Sequence, residues 1–112
     1  MNIKTNSNKQ MNIPIEDIDK IIHEPARLKI MANLYFVESM DALFLLRQTG
    51  FSWGNLATHT KKLEAAGYIE VKKEFIKRKP HTIYILTKKG RNAFEAYTTK
   101  MQHLFEGFPN KS

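Results

Sequence analysis

The sequence predicts a mainly α-helical fold that carries one small β-hairpin. Three observations predict it. Apolar residues recur at helical spacing from residue 15 to residue 66. Two strand-like segments then flank a short basic turn around Arg78. The last segment returns to helical spacing, with Phe94, Tyr97, Met101, Leu104 and Phe108 at steps of three and four. At 112 residues the chain is the size of one domain with one modest core.

Taken in order, residues 1–12 are rich in Asn, Lys and Ser and are expected to be a disordered tail, with the domain spanning 13–112. Pro14 is placed to open a short helix, with Glu16 and Asp17 in its first turn and Ile15, Ile18, Ile21 and Ile22 at helical spacing. A second helix begins near Pro25. Leu28, Met31, Ala32 and Tyr35 share one of its faces and Ile30 and Leu34 another, which predicts burial on two sides. A third runs from Asp41, a good N-cap, to Thr49, and Gly50 suits its left-handed stop. Ser52 caps a fourth helix, 53–66, which Gly67 ends. Ile69, Val71, Lys73 and Phe75 share one face of the first strand. Ile83 and Ile85 oppose Tyr84 and Leu86 on the second, and 77–80 is the turn between them. The last helix begins near Lys88.

Charge is unevenly placed. Residues 1–60 carry six Lys/Arg and six Asp/Glu, whereas 61–112 carry twelve against five, so the whole net charge of +7 lies in the second half. Eight cations against the single Glu74 fall between Lys72 and Arg91. That is the footprint of a polyanion binder, although a basic solvated surface would look similar.

Several classes of function find no support. The chain has no cysteine, which excludes disulfides and thiolate metal sites and agrees with a reducing, cytoplasmic setting. His23, His59, His81 and His103 show no paired ligand spacing, so no metal is expected. There is no Gly-rich phosphate loop and no nucleophile–base pair, so neither a cofactor nor an enzyme is expected. No apolar run nears the roughly 18 residues of a membrane span.

Helices three and four are joined by a short Gly-containing turn, as in a helix-turn-helix. On the fourth, Leu56, Thr60 and Leu63 form the anchoring stripe. Gly54, Thr58, Lys61 and Ala65 point the opposite way, and Asn55, His59 and Lys62 line a flank. A carboxamide, a hydroxyl and an ammonium in that array match base edges and phosphates of a DNA major groove. The hairpin tip Lys77-Arg78-Lys79 matches a second contact, with Arg78 suited to the minor groove and the lysines to phosphates. Each residue also has a plainer reading. Asn55 could serve the first helical turn, His59 could be a polar residue at the edge of the core, the lysines could be solvated, Trp53 could be a packing residue, and the tip could keep a ribbon soluble.

Three segments carry a resemblance. Ser52-Trp53-Gly54-Asn55-Leu56 with His59, Lys62-Leu63-Glu64 and Ala66-Gly67-Tyr68-Ile69 is similar to the recognition-helix signature of MarR/ArsR-like winged-helix transcriptional regulators. Glu24-Pro25-Ala26-Arg27-Leu28-Lys29-Ile30-Met31 resembles the second-helix signature of the small single-domain members, and Tyr84-Ile85-Leu86-Thr87-Lys88-Lys89-Gly90 the end of their wing. The likeness spans roughly 15–98 and implies a winged helix-turn-helix with a C-terminal dimerisation helix. It implies a homodimer on double-stranded DNA, as a regulator and most simply a repressor. Position by position, Asn55, Thr58, His59 and Lys62 match recognition-helix contacts and Arg78 the wing tip; with Lys61, Lys77 and Lys79 from the residue reading above, these would be the DNA contacts. The spacing of Phe94, Tyr97, Met101, Leu104 and Phe108 suggests the dimer seam between two last helices, although a lone helix packed on its own core would show a similar stripe, and a small effector at that seam stays open. Thr60 departs from the apolar residue usual at its position. The competing reading is a winged-helix protein-interaction module without sequence-specific DNA binding.

Overall fold

In the computed structural model, which describes residues 17–108, the element order is α1 (Pro25–Val37), β1 (Ser39–Asp41), α2 (Ala42–Thr49), α3 (Trp53–Ala65), β2 (Ile69–Ile76), β3 (Lys79–Leu86) and α4 (Lys88–Glu106). The expected tail at 1–12 and the helix opening at Pro14 lie outside the described residues. Where that helix was expected to continue, residues 18–24 form turns instead. The Asp19 carboxylate accepts the amides of Ile21 and Ile22, at 2.8 and 3.1 Å, and this local bonding displaces a helical ladder. Ile18 and Ile22 still reach the core.

α1 is the central helix. Pro25 sits in its first turn, and the Glu24 side chain accepts the Arg27 amide. Arg27, Ile30, Met31 and Leu34 are its buried stripe, with Leu28, Ala32 and Tyr35 packed half-buried beside it. α1 packs against all three other helices and against β1 and β3. Lys29 donates to the Thr49 carbonyl at 3.1 Å, which ties the end of α2 to α1. α2 and α3 start and stop as their caps require. Asp41 accepts the Leu43 amide, Gly50 takes φ 75°, Ser52 accepts the Asn55 amide, and Gly67 takes φ 81°.

The hairpin is part of a three-stranded antiparallel sheet in the order β1-β3-β2. The third strand was not expected. Three residues, with only Met40 buried, are too few to show alternation, and Asp41 reads in isolation as a helix cap. It serves as both. β2 and β3 pair along their length, from Ile69 opposite Leu86 to Ile76 opposite Lys79. Only the root of this ribbon is covered: Ile69, Tyr84 and Leu86 are buried.

The root is joined to α4 at a close backbone approach. Thr87 caps α4 by accepting the Gly90 amide at 2.9 Å, and its hydroxyl donates to the Gly67 carbonyl at 2.7 Å. Gly90 is buried against Tyr68, and a Cβ there would overlap the Tyr68 carbonyl. The Tyr68 hydroxyl in turn donates to Asp19. Burial, and then this bond to a carboxylate, push the phenol up to about 12 from its ordinary 10.0.

Two outcomes follow. Gly90→Ala should lower stability by about 1–3 kcal/mol, since rigid backbone must give way, and urea unfolding will measure it. Tyr68 holds its proton more tightly folded than unfolded, so its contribution is complete below the unfolded pKa of 10.0 and is lost as pH rises towards about 12. Tyr68→Phe should therefore flatten the alkaline loss of stability across that window, read as urea midpoints against pH.

Candidate nucleic-acid interface

α3 is anchored through Leu56, Thr60 and Leu63, all buried. Thr60 is tolerated in this stripe because its hydroxyl donates to the Leu56 carbonyl at 2.8 Å. The opposite face is exposed and carries Asn55, Thr58, Lys61 and Lys62. Thr58 donates to the Gly54 carbonyl at 2.9 Å, which leaves its methyl and hydroxyl lone pairs outward. Ser52 occupies the Asn55 amide, leaving those of Trp53 and Gly54 at the exposed end of the helix. Gly54 itself stands in open space: a Cβ built there meets no atom within 4 Å. The fold does not require glycine at this position, and glycine costs a helix up to about 1 kcal/mol relative to alanine.

His59 follows the second of its two readings, at the edge of the core and not as an outer contact. Its Nδ1 lies 3.1 Å from an Arg27 guanidinium nitrogen and 3.6 Å from Glu24, so the ring is turned towards α1. Arginine only donates, so Nδ1 is the acceptor in this bond. His59 is a half-buried packing partner in the interior of the site, not part of its outer polar face.

The hairpin tip is tighter than the four-residue turn expected. Lys77 and Arg78 alone form it, with φ 51° and 68°, while Lys79 and Pro80 already pair with Ile76 and Phe75. Positive φ at both central residues is what a type I′ hairpin turn requires. Lys77, Arg78 and Lys79 are all exposed. Two cations of the basic run are engaged within the fold at α4. Arg91 stacks over Tyr35 at 4.7 Å and approaches Glu38 at 3.4 Å, and Lys89 lies over Tyr68.

Between α3 and the ribbon runs a groove of about 630 Å³, lined by Trp53, Ala57 and Lys61 on the helix and by Lys73, Thr82 and Tyr84 on the sheet. Lys73, Thr82 and Trp53 were absent from the expected contact set. Lys73 had a signal: it is the cation in the otherwise apolar Ile69, Val71, Phe75 face of β2. The outer half of β3 is tied back to the body by His81, which pairs with Glu74 and whose Nδ1–H donates to Asp41 at 2.7 Å. That bond holds the Asp41 carboxyl below its ordinary range against the opposing effect of burial.

On α4, the expected seam divides. Phe94 and Tyr97 are buried in the chain's own core, where Phe94 packs on Tyr35 and Tyr97 contacts His23, so they offer no surface to a partner. Met101 and Leu104 are half-buried, and Phe108 is exposed together with Phe105, which the spacing had not selected. Among the described residues no cluster of three or more His, Asp or Glu could hold a metal ion, and no helix is long and apolar enough to cross a membrane.

Comparison with known proteins adds to this geometry. The model of a family described as a winged helix DNA-binding domain matches residues 26–105. An uncharacterized protein of Methanocaldococcus jannaschii is 40% identical over 85 residues, which cover 76% of this chain and 92% of the relative. A transcriptional regulator homologue from Pyrococcus horikoshii OT3 superposes with a TM-score of 0.75 at 22% identity, over 91% of this chain and 96% of that one. The Staphylococcus epidermidis protein AbfR, overoxidized and bound to DNA, gives 0.59 at 20% identity, over 94% and 67%. NadR in complex with 4-hydroxyphenylacetate gives 0.65 at 16%, over 93% and 68%. At these identities the likeness to solved structures establishes the fold.

Proposed function

The chain belongs to the winged helix DNA-binding domain family, and from that premise we propose that it is a dimeric, sequence-specific transcriptional regulator that represses by occupying a promoter. α3 reads the major groove through Asn55, Thr58, Lys61 and Lys62. The tip reads the adjacent minor groove through Arg78, with Lys77, Lys79 and Lys73 on phosphates.

The observation that carries this reading is Gly54. It is a helix-weakening residue in the first turn of the exposed helix, in a place where the protein's own packing leaves room for a side chain. Close approach of a ligand backbone supplies the missing reason, and its neighbours are the polar face just described. The Lys77-Arg78 turn supports it independently. Two non-glycine residues at positive φ cost stability that glycine would spare, and both are cations. The second copy is read onto the end of α4, where Leu104, Phe105 and Phe108 leave apolar surface exposed beside Met101. Pairing there would set two reading heads on successive turns of DNA.

The test is selection from a pool of random duplexes at two salt concentrations. A palindromic motif, bound more weakly at high salt, supports a dimeric reader. Salt-sensitive binding without a motif reduces the reading to non-specific binding, and no binding at low salt favours the protein-interaction module. On a selected duplex, Lys62→Ala and Arg78→Ala should each weaken binding and lower the salt slope by about one, with the melting temperature unchanged. Gly54→Ala should move the two readouts in opposite directions: stability up by roughly 0.5–1 kcal/mol, affinity down.

A further inference from the structure

The outer half of the ribbon carries an apolar patch that neither the core nor the contacts above account for. Phe75 is 76% exposed, and Pro80 stands directly opposite it in register, also exposed. Residues opposite each other in an antiparallel pair share a face. Here it is the face that holds Ile69, Val71, Tyr84 and Leu86 at the root and Lys73 with Thr82 midway, so the patch lies at the outer end of the side turned towards α3. Pro80 also lines a hollow of about 350 Å³ with Trp53, which is 55% exposed.

We propose that Phe75 and Pro80 form an apolar pad that packs on the deoxyribose walls of the minor groove while Arg78 enters it, an inference that rests on the DNA-binding reading above. The charge around the pad selects this occupant. Lys73 lies one step towards the root on the same face, and Lys77, Arg78 and Lys79 close the other end. An apolar protein surface would have to bury or repel those cations. A nucleic-acid strand instead presents C–H-rich sugars with a phosphate on either side, an alternation that matches a pad bordered by cations at both ends. The pad would therefore sense groove width and sugar chemistry, to which a guanidinium alone is less sensitive.

The experiment is hydroxyl-radical footprinting, which reports deoxyribose exposure, on a duplex taken from the random-pool selection. It is run beside binding at several salt concentrations for wild type, Phe75→Ala and Phe75→Leu. We expect a short patch of protected minor-groove sugars flanking the segment read by α3. Phe75→Ala should lose that patch and bind about tenfold more weakly, with an unchanged salt slope because no phosphate contact is removed. Phe75→Leu should restore most of both. Retained protection and affinity in Phe75→Ala would overturn the pad alone. A fall in salt slope like that of Arg78→Ala would also overturn it, by tracing the effect to the cations. Reduced self-association with an intact footprint would reassign Phe75 to contact between copies. A wild-type protein that binds no duplex at low salt would sink the DNA-binding reading, and the pad with it.

Discussion

The orientation of the exposed helix depends on one buried guanidinium. Arg27 emerges from the first turn of α1 and is 9% exposed. Its Nε donates to the Ile21 carbonyl at 2.6 Å, and a terminal nitrogen donates to His59 on α3 at 3.1 Å. Burying a guanidinium costs several kcal/mol unless its donors are used and an opposite charge is near. Glu24 supplies that charge. Burial raises the Glu24 carboxyl, but the bond from the Arg27 amide, the Arg27 charge and the Ala26 amide work against it, and the net shift is downward. Among the described residues no buried side-chain polar atom lacks a partner. One side chain thereby joins the turn before α1, α1 itself and α3, and the angle at which α3 offers Asn55, Thr58, Lys61 and Lys62 follows from that junction.

The ribbon is organised by a different economy of contacts: rigid at the root, bare at the tip. Asp41 ends β1, caps α2 and accepts from His81, so one carboxylate holds strand, helix and hairpin together. Thr87, Gly67, Tyr68 and Gly90 make a second tight junction, at the root itself. Beyond Lys73 and Thr82 the ribbon's inner face carries the exposed Phe75 and Pro80, and three cations lie at or beside the turn. An exposed ribbon of this kind is usually blunted by charge, which lysines on one strand would achieve. Cations at two positive-φ positions, beside an exposed Phe, exceed that need.

Much of this was legible in advance because it is local. Ser52, Asp41, Gly50 and Gly67 act within a few residues of themselves, so caps and stops could be read directly. The Leu56, Thr60, Leu63 stripe is periodicity within one helix, and its complement named most of the exposed polar face. The misreadings are equally physical. Ile18, Ile21 and Ile22 have helical spacing, but Asp19 captures the amides a helix would need. His59 sits on the flank of the polar face, but Arg27, thirty-two residues earlier, turns it inward. Phe94 and Tyr97 continue the spacing of Met101 and Leu104, but Tyr35 and His23 pack on the first two and bury them, while Met101 and Leu104 stay half-buried.

The sequence by itself therefore determined the order of α1 to α4, where each begins, where α2 and α3 end, the hairpin, and the one-sided placement of charge, since propensity, capping and periodicity are encoded within a turn or two of chain. Tertiary structure decided which apolar residues of α4 are core and which remain exposed. It also paired β1 with β3, withdrew His59 from the outer face and set Lys73 across a groove from Lys61. Each of these depends on what a residue meets from a distant segment, and contacts between segments carry no fixed spacing along the chain from which they could be read.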